Sequence, residues 1–360
     1  MTELRRDRLE RLRASMEAVG VDHLWIEPSV GFRYLTSAEP LSIERMAGLL
    51  VPREGEPRAL APEMMLAELE PLGVETVVWS DSDGPAAAIT RVLTGVRTLH
   101  IQGSLPAWAW DALATASPAV SIHIDPGALS GLREVKDDDE VAALRRSAAL
   151  ADEVVEWIAT LGLSNETESR VGGRIQARFL EASAQPWAPL VATGANAAIP
   201  HYADAGSKIE VGRPLLCDLG ACLDGYWSDI TRVYFPAEVA PEVASAYEIV
   251  CAAYDAALSA VADGVPCAEV DRAARRVIED AGYGDAFLHR TGHGLGLELH
   301  EPPYLNGGNE SPLRVGNVFS IEPGIYVPGS FGLRYENIVY LGPEGPVELN
   351  RAPRSLPLST

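Results

Sequence analysis

The segment LLCDLGACLDGYWSDITRVYF, residues 215–235, constrains the fold of this chain more than any other stretch. It contains Asp224-Gly225, a dipeptide typical of two-residue β-hairpin turns, between two largely apolar runs. A turn of this kind fixes which residues of the two strands lie opposite each other. The segment therefore predicts an antiparallel hairpin whose register follows from the position of the turn.

The register of this hairpin brings two acidic side chains together. Counting outward from the turn places Asp218 opposite Thr231 and Asp229 opposite Gly220. Because side chains alternate between the two faces of a strand, both aspartates emerge on the same face as diagonal neighbours. Two carboxylates this close repel each other unless a proton or a metal ion lies between them. We expect the glycine opposite Asp229 to leave room for an ion.

A second hairpin is predicted in NVFSIEPGIYVPGSFGLRYENIVYL, residues 317–341. If Pro328–Ser330 form its loop, Glu322 lies directly opposite Glu336, whereas a loop one residue longer would break this register. An unpaired charge in such apolar sequence is expensive to bury. The two glutamates therefore repeat the pattern of the first hairpin.

Histidines are concentrated in HRTGHGLGLELHE, residues 289–301, which holds three of the seven in the chain. His201, in the tract IPHY, is a fourth candidate. The glycines at 292, 294 and 296 disfavour a helix here. The segment also lacks the βαβ context that a dinucleotide-binding loop requires. Strand or loop geometry must then bring a histidine to the acids, but spacing alone does not choose among His289, His293 and His300.

Taken together, these fragments predict a metal site. Each acidic pair alone is more often part of an ordinary edge strand. Two such pairs and a histidine cluster in one domain favour a metal site instead. Four carboxylates and one imidazole suit two divalent ions such as Mn, Co, Fe or Zn. A site without cysteine ligands is more typical of catalysis than of a structural role.

The chain predicts two domains of different architecture. Roughly the first 125 residues alternate short strands and helices, which is typical of a compact α/β domain. Asp125-Pro126-Gly127 marks a boundary, so we predict an N-terminal domain over 1–127 and a second domain over 128–360. The second domain opens with a long helix capped by the acidic run Asp137–Asp139 and continues with strands, hairpins and helices. It is therefore α+β, and every chemical signal lies in it.

Charge and composition exclude several classes of partner. The formal net charge is −22, from 29 basic and 51 acidic residues, so nucleic acids and anionic membranes would be repelled. No apolar run reaches the roughly 18 residues that a membrane span needs. The N-terminal segment does not have the pattern of a signal peptide. Four cysteines without a CxxC pair favour a reduced, cytoplasmic protein.

Several blocks of the second domain resemble a known family. DLGACLDGYWSDITR, TGHGLGLELHE, SIEPGIY and LRYEN are similar to successive signature blocks of the metallopeptidases that include prolidase, aminopeptidase P and methionine aminopeptidase. ATGANAAIPHY resembles the block that precedes them, and the similarity covers essentially all of residues 130–345. The resemblance implies a small N-terminal domain like that of creatinase, a pita-bread catalytic domain, and two divalent metal ions (Mn, Co or Zn). The ligands it implies are Asp218, Asp229, His293, Glu322 and Glu336.

The same resemblance implies a role for each residue. Asp229 and Glu336 are expected to bridge the two ions, and Glu322 to be both a terminal ligand and the general base. His300 matches the histidine that stabilises the tetrahedral intermediate, and His201 the one near the leaving nitrogen. Further residues are expected to bind substrate or to orient the ligands: His289, Arg334, Tyr226, Arg45 and Thr231.

Within this family, the proline-specific branch fits the sequence best. Methionine aminopeptidases usually lack the N-terminal domain, while creatinase-like enzymes and binding proteins of this fold lack the full ligand set. We therefore expect a homodimeric Xaa-Pro dipeptidase that acts on small peptides with proline in second position. One alternative is an Xaa-Pro aminopeptidase for longer peptides, and a more remote one is a metal-independent, creatinase-like hydrolase.

Recognition of the substrate carboxylate is the point on which the chain departs from the family. A dipeptidase must bind that carboxylate, normally through arginine. Many prolidases carry this arginine four residues after the position of His300, where this chain has Tyr304. Arg45 of the N-terminal domain is the substitute that the sequence suggests, reaching the site within its own chain or across a dimer.

Overall fold

The computed structural model describes residues 4–38, 44–163, 165–202, 206–210 and 212–358. The chain divides into two compact units, Met1–Arg133 and Glu134–Thr360. This division falls a few residues after the boundary at Asp125-Pro126-Gly127 that the sequence predicts. No helix in the described ranges is long and apolar enough to cross a membrane.

The N-terminal unit is built around a mixed sheet. Its strands are β1 (His23–Ile26), β2 (Gly48–Pro52), β3 (Arg58–Pro62), β4 (Glu75–Trp79), β5 (Thr98–Ile101) and β6 (Ser121–Ile124). Its helices are α1 (Arg6–Val19), α2 (Val30–Thr36), α3 (Leu66–Leu69), α4 (Ala86–Val92) and α5 (Ala107–Ala116). Within the described residues the strand order is β4-β3-β2-β1-β5-β6. Trp25, Leu50 and Ile89 belong to one buried cluster between this sheet and α4, and burial of such side chains stabilises each by about 1.5–3 kcal/mol.

The second unit mixes long helices with short strands. After α6 (Ser130–Glu134), which spans the boundary, its helices are α7 (Asp138–Ile158), α8 (Glu168–Glu181), α9 (Pro241–Ala260) and α10 (Cys267–Asp280). The first strands are β7 (Gln185–Pro186), β8 (Leu190–Thr193), β9 (Leu215–Leu219), β10 (Ala221–Leu223), β11 (Tyr226–Trp227) and β12 (Ile230–Phe235). The remaining strands are β13 (Gly292–Gly294), β14 (Glu301–Leu305), β15 (Val318–Ile321), β16 (Gly324–Val327), β17 (Phe331–Arg334), β18 (Asn337–Gly342), β19 (Gly345–Glu348) and β20 (Ser355–Pro357).

Two helix pairs cover the strands that carry the acidic residues. Side chains of α7 and α8 form a buried cluster with β9 and β12, and those of α9 and α10 form another with β15, β16 and β17. Helix α7 begins as the acidic run predicts, because the Asp137 carboxylate accepts the Glu140 N–H at 2.9 Å and the Glu140 carboxylate accepts the Asp137 N–H at 3.1 Å. The strands are thus fixed from behind by apolar packing.

Candidate metal centre and active site

The first acidic hairpin has the predicted register. Strands β10 and β11 pair Leu223 with Tyr226, and β9 and β12 pair Asp218 with Thr231. The expectation for Gly220 was wrong, however. A Cβ atom at Gly220 would lie 1.9 Å from the Ser228 carbonyl oxygen, so glycine is required by the close approach of the partner strand and not by space for an ion.

The second acidic hairpin also has the predicted register. Strands β16 and β17 pair Val327 with Phe331 around a three-residue loop. Further from the loop, β15 and β18 pair Ile321 with Asn337 in the same register. Glu322 therefore lies opposite Glu336, as the sequence predicts.

Buried Arg232 joins the two hairpins. Its side chain has no solvent exposure, and one guanidinium nitrogen donates to the backbone carbonyls of Thr231 and Glu336 at 2.9 and 2.6 Å. The other terminal nitrogen donates to the Asn337 side chain at 2.7 Å. Because these contacts link β12 to β18, the aspartates of one hairpin face the glutamates of the other.

The structure brings together all five side chains named as ligands. Three overlapping sets of three residues have potential ligand atoms within 4.8 Å of one another. Each set contains at least one acid from the hairpins, and two of the sets also contain a histidine. The His293 Nε2 atom lies 3.6 Å from an Asp229 oxygen and 3.4 Å from a Glu322 oxygen. The sets are Asp218, Asp229 and Glu336; His293, Glu322 and Glu336; and Asp229, His293 and His300.

His293 presents a free nitrogen to this cluster. Burial lowers the pKa of its imidazole well below the ordinary value, so the ring is neutral. Its Nδ1 atom lies 3.1 Å from the Gly294 carbonyl oxygen and therefore carries the proton that is donated there. The unprotonated Nε2 atom consequently faces the acids, in the state that a metal ligand needs.

The cluster is electrostatically costly without a cation. Burial raises the pKa values of Asp229 and Glu336 well above their ordinary range, and the neighbouring carboxylates raise them further. Burial also raises the pKa of Glu322 to about 7. Asp229, Glu322 and Glu336 cannot all be ionised near neutral pH unless positive charge is supplied in addition to that of Arg334.

One orphaned atom supports a cation as the source of that charge. Asp218 Oδ1 is buried and has no hydrogen-bond partner among the described residues. Buried carboxylate oxygens are normally hydrogen-bonded, since desolvation otherwise goes uncompensated. The donor set of four carboxylates and a neutral imidazole fits divalent ions of the Mn, Co or Zn kind.

Metal and pH are expected to act together on stability. Raised folded-state pKa values stabilise the metal-free protein below the unfolded pKa of about 4.5, and this contribution is lost as pH rises toward 7. We expect the melting temperature of chelator-treated protein to fall by several degrees between pH 5 and pH 8, and added Mn to reverse most of that fall. Thermal melts across this range test it, and melts that Mn leaves unchanged at every pH would contradict it.

Thr231 and Arg334 hold the carboxylates in place. The Thr231 hydroxyl donates to Glu336 at 2.6 Å and accepts from Arg334 Nε at 2.8 Å. Arg334 also donates to Asp218 at 2.5 Å. Ser320, which the sequence did not single out, donates to Glu322 at 3.2 Å and accepts the His293 N–H at 3.1 Å.

His289 belongs to a chain of hydrogen bonds that ends at Arg334. Burial lowers the pKa of its imidazole to about 3, so the ring is neutral. Its Nδ1 atom donates to the Arg290 carbonyl oxygen at 2.7 Å, which leaves Nε2 to accept from the Tyr326 hydroxyl at 2.8 Å. The Tyr326 oxygen in turn accepts from Arg334 at 2.7 Å. Tyr326 has no sequence signal as a site residue, because only tertiary contacts bring it here.

The acids open into a cavity of about 990 Å³ in the second unit. This volume lies at the upper end of the range for small-molecule sites. His201, His289 and His300 line it, as expected of residues near a substrate. Burial lowers the pKa of His300, and the positive charge of Arg290 lowers it further. The His300 ring also packs edge-on against His293, with 4.1 Å between ring centroids.

Tyr226 and Arg45, both expected to bind substrate, make polar contacts within their own units. Tyr226 is not among the residues that line the cavity; its hydroxyl donates to Glu140 at 3.1 Å, and its ring packs against a small buried cluster. A role for Tyr226 in substrate binding stays a prediction. Arg45 lies in the N-terminal unit, where it donates to Asp81 at 3.0 and 2.9 Å and to Glu44 at 3.0 Å. A role for Arg45 in substrate binding stays a prediction.

Fold and site together define a class, a two-unit protein whose second unit carries a carboxylate-rich centre suited to divalent cations. Residues 142–343 match the model of metallopeptidase family M24, and residues 8–122 match that of the creatinase/prolidase N-terminal domain. The chain belongs to metallopeptidase family M24. This confirms the family and the two-part fold, a creatinase-like N-terminal domain and a pita-bread catalytic domain, that the sequence blocks predict.

Similar proteins extend over nearly the whole chain. The probable dipeptidase PepE of Mycobacterium tuberculosis is 34% identical over 357 residues, covering 97% of this chain and 95% of that protein. The crystal structure of a prolidase from Thermococcus sibiricus is 36% identical, covers 98% of both chains and superposes with a TM-score of 0.91. The crystal structure of a dipeptidase from Pyrococcus horikoshii is 34% identical and superposes with a TM-score of 0.92. The match covers 97% of this chain and 99% of the dipeptidase chain.

Proposed function

We propose that this chain is a dinuclear metal-dependent peptidase that hydrolyses Xaa-Pro dipeptides. The observation that carries the proposal is the convergence of four buried carboxylates and the free Nε2 of His293, with one aspartate oxygen left without a partner. The names of the relatives, dipeptidase and prolidase, agree with this activity.

The proposed ligands divide between the two ions as the family resemblance implies. Asp218 and Asp229 come from one hairpin, Glu322 and Glu336 from the other, and His293 from β13. When bound, the ions act as Lewis acids and lower the pKa of water, which is the chemistry that peptide hydrolysis needs at neutral pH. All other tasks fall to side chains of the chain itself.

Glu322 is the proposed general base. Its carboxylate lies in the ligand cluster within 3.4 Å of His293 Nε2, where it can take up and return the proton of a water molecule. The Ser320 hydroxyl donates to its Oε1 atom at 3.2 Å and so fixes one of its oxygens. His300, which is exposed at the cavity wall and packed on His293, is positioned to donate to the oxygen that becomes negative during hydrolysis. We assign His201, which is exposed on the same wall, to the leaving nitrogen.

A second candidate is an Xaa-Pro aminopeptidase for longer peptides. The observation that favours it is the size of the cavity, about 990 Å³, which exceeds what a dipeptide fills. A metal-independent, creatinase-like hydrolase fits less well, because such an enzyme has no use for the complete ligand set. A homodimer and a cytoplasmic location stay predictions from the sequence.

Metal removal and substrate length test the proposal. We expect chelator-treated protein to be inactive on Ala-Pro, and Mn or Co to restore activity. Comparing Ala-Pro, Met-Pro and Ala-Pro-Ala then separates dipeptidase from aminopeptidase, with the dipeptides cleaved faster under our proposal. Unchanged hydrolysis after metal removal, or no hydrolysis of any of the three with metal bound, would overturn it.

A further inference from the structure

The cavity contains an arginine that forms no ion pair with any acid of the described residues. Of the residues that line the cavity, Arg290 and Arg334 carry a permanent positive charge. Arg334 is fully engaged, since its three nitrogens donate to Thr231, Tyr326 and Asp218. Within the described ranges, by contrast, the Arg290 guanidinium makes no ion pair or side-chain hydrogen bond and lies over an aromatic ring.

That ring belongs to Tyr304, at the position where many prolidases carry arginine. The Arg290 guanidinium carbon lies 4.6 Å from the centre of the Tyr304 ring, a cation–π contact. Tyr304 is paired with His293 across β13 and β14, so it is held firmly beside the candidate metal centre. Stacking uses the flat face of a guanidinium and leaves the N–H groups on its edge available, and these match the two oxygens of a carboxylate.

A dipeptide needs such a group at this place. Its C-terminal carboxylate lies within one residue, roughly 3.5 Å of chain, of the bond that is cleaved. Five acidic residues line the cavity, and the whole chain has a net charge of −22, so an unpaired substrate carboxylate would be repelled. Arg290 lines the same cavity as His300 and Glu322 and supplies the missing positive charge.

We propose that Arg290, stacked on Tyr304, binds the C-terminal carboxylate of dipeptide substrates. The inference rests on the proposed peptidase function and names the residue that restricts it to dipeptides. Under this inference, Arg45 is not required to bind the substrate carboxylate. A tripeptide places its carboxylate one residue further away, so it loses this contact, and a dipeptide amide loses the charge alone.

The test compares each dipeptide with its amide, using metal-loaded enzyme. We expect Arg290→Gln to lower kcat/KM for Ala-Pro by about 10- to 100-fold, mainly through KM, because one charge-assisted hydrogen-bonded contact is lost. Ala-Pro-amide should change by less than about threefold, since it lacks the charge that Arg290 binds. Arg276→Gln, an exposed arginine on α10, is the matched control.

Three further variants separate the carboxylate-binding role of Arg290 from a structural role. Tyr304→Leu removes the ring and should weaken the preference for acid over amide, whereas Tyr304→Phe keeps the ring face and should retain most of it. Arg290→Ser combined with Tyr304→Arg should recover part of the preference, because the guanidinium then approaches from the Tyr304 position. Equilibrium titration of metal-free protein with Ala-Pro and Ala-Pro-amide gives a readout that does not depend on turnover.

The outcomes distinguish this inference from the proposed function. Equal losses on acid and amide in Arg290→Gln, or wild-type enzyme that shows no preference between them, would overturn the carboxylate clamp while leaving the peptidase intact. If the enzyme cleaves Ala-Leu but not Ala-Pro, proline specificity fails, and the same comparison on Ala-Leu and its amide still decides the role of Arg290.

Discussion

Asp229→Asn is expected to reduce kcat/KM on Ala-Pro by about a thousandfold or more, because a ligand shared by both proposed ions loses its charge. Asp229 is almost fully buried and belongs to two of the three ligand sets. An amide keeps the size of the side chain but binds divalent ions weakly. The metal content of the purified variant should therefore fall together with its activity.

The same hairpin provides a control for this substitution. Asp224→Asn changes the same residue type at the exposed turn, where the side chain pairs with Arg146 on the surface. Asparagine tolerates the positive φ of 50° at this position, and exposed ion pairs contribute little to stability. Activity and metal content should stay near the wild-type values. Full activity in Asp229→Asn with two ions bound would show that Asp229 is not a ligand.

Lys136→Met is expected to destabilise the protein by about 3–5 kcal/mol, since it leaves a buried carboxylate without its partner. Lys136 donates to Glu301 at 2.6 Å, and both side chains are almost completely buried, with 1% and 3% of their surface exposed. Glu301 follows His300 directly, so the loop that carries His300 depends on this ion pair. Activity should therefore fall together with stability.

Local packing shows how closely this loop is built around the pair. A Cβ atom at Gly296 would lie 2.6 Å from a Glu301 carboxylate oxygen, so a larger residue there would displace the Glu301 side chain. Trp227 holds the same loop through two hydrogen bonds, from its backbone N–H to Gly296 at 2.9 Å and from its indole N–H to Leu297 at 3.1 Å. Contacts on both sides of His300 thus fix the loop that places this histidine at the cavity wall.

Denaturant unfolding measures the effect, with two comparisons. Lys208→Met changes an exposed lysine and should leave the free energy of unfolding nearly unchanged. Adding Glu301→Gln to Lys136→Met removes the unpaired charge and should recover part of the lost stability. A single Lys136→Met variant as stable as wild type would show that the ion pair does not support this loop.

The sequence determined the parts of the site that depend on local geometry. The two-residue turn at Asp224-Gly225 and the alternation of side chains in strands were enough to place Asp218 beside Asp229. The three-residue loop then placed Glu322 opposite Glu336. Such rules act over a few residues, so they can be read without knowing the fold.

Only the tertiary structure decided which residues from distant segments meet. Spacing did not choose among the histidines; the pairing of β13 with β14 and β15 did, by turning His293 Nε2 toward the acids. Tyr326 and Ser320 contact site residues, whereas the Tyr226 hydroxyl donates to Glu140. No local sequence pattern encodes these contacts. The same holds for Arg290, which precedes β13 and lies over Tyr304 of the neighbouring strand β14. Strand periodicity is a property of the backbone, whereas these contacts depend on how whole elements pack, and packing is settled by the entire chain.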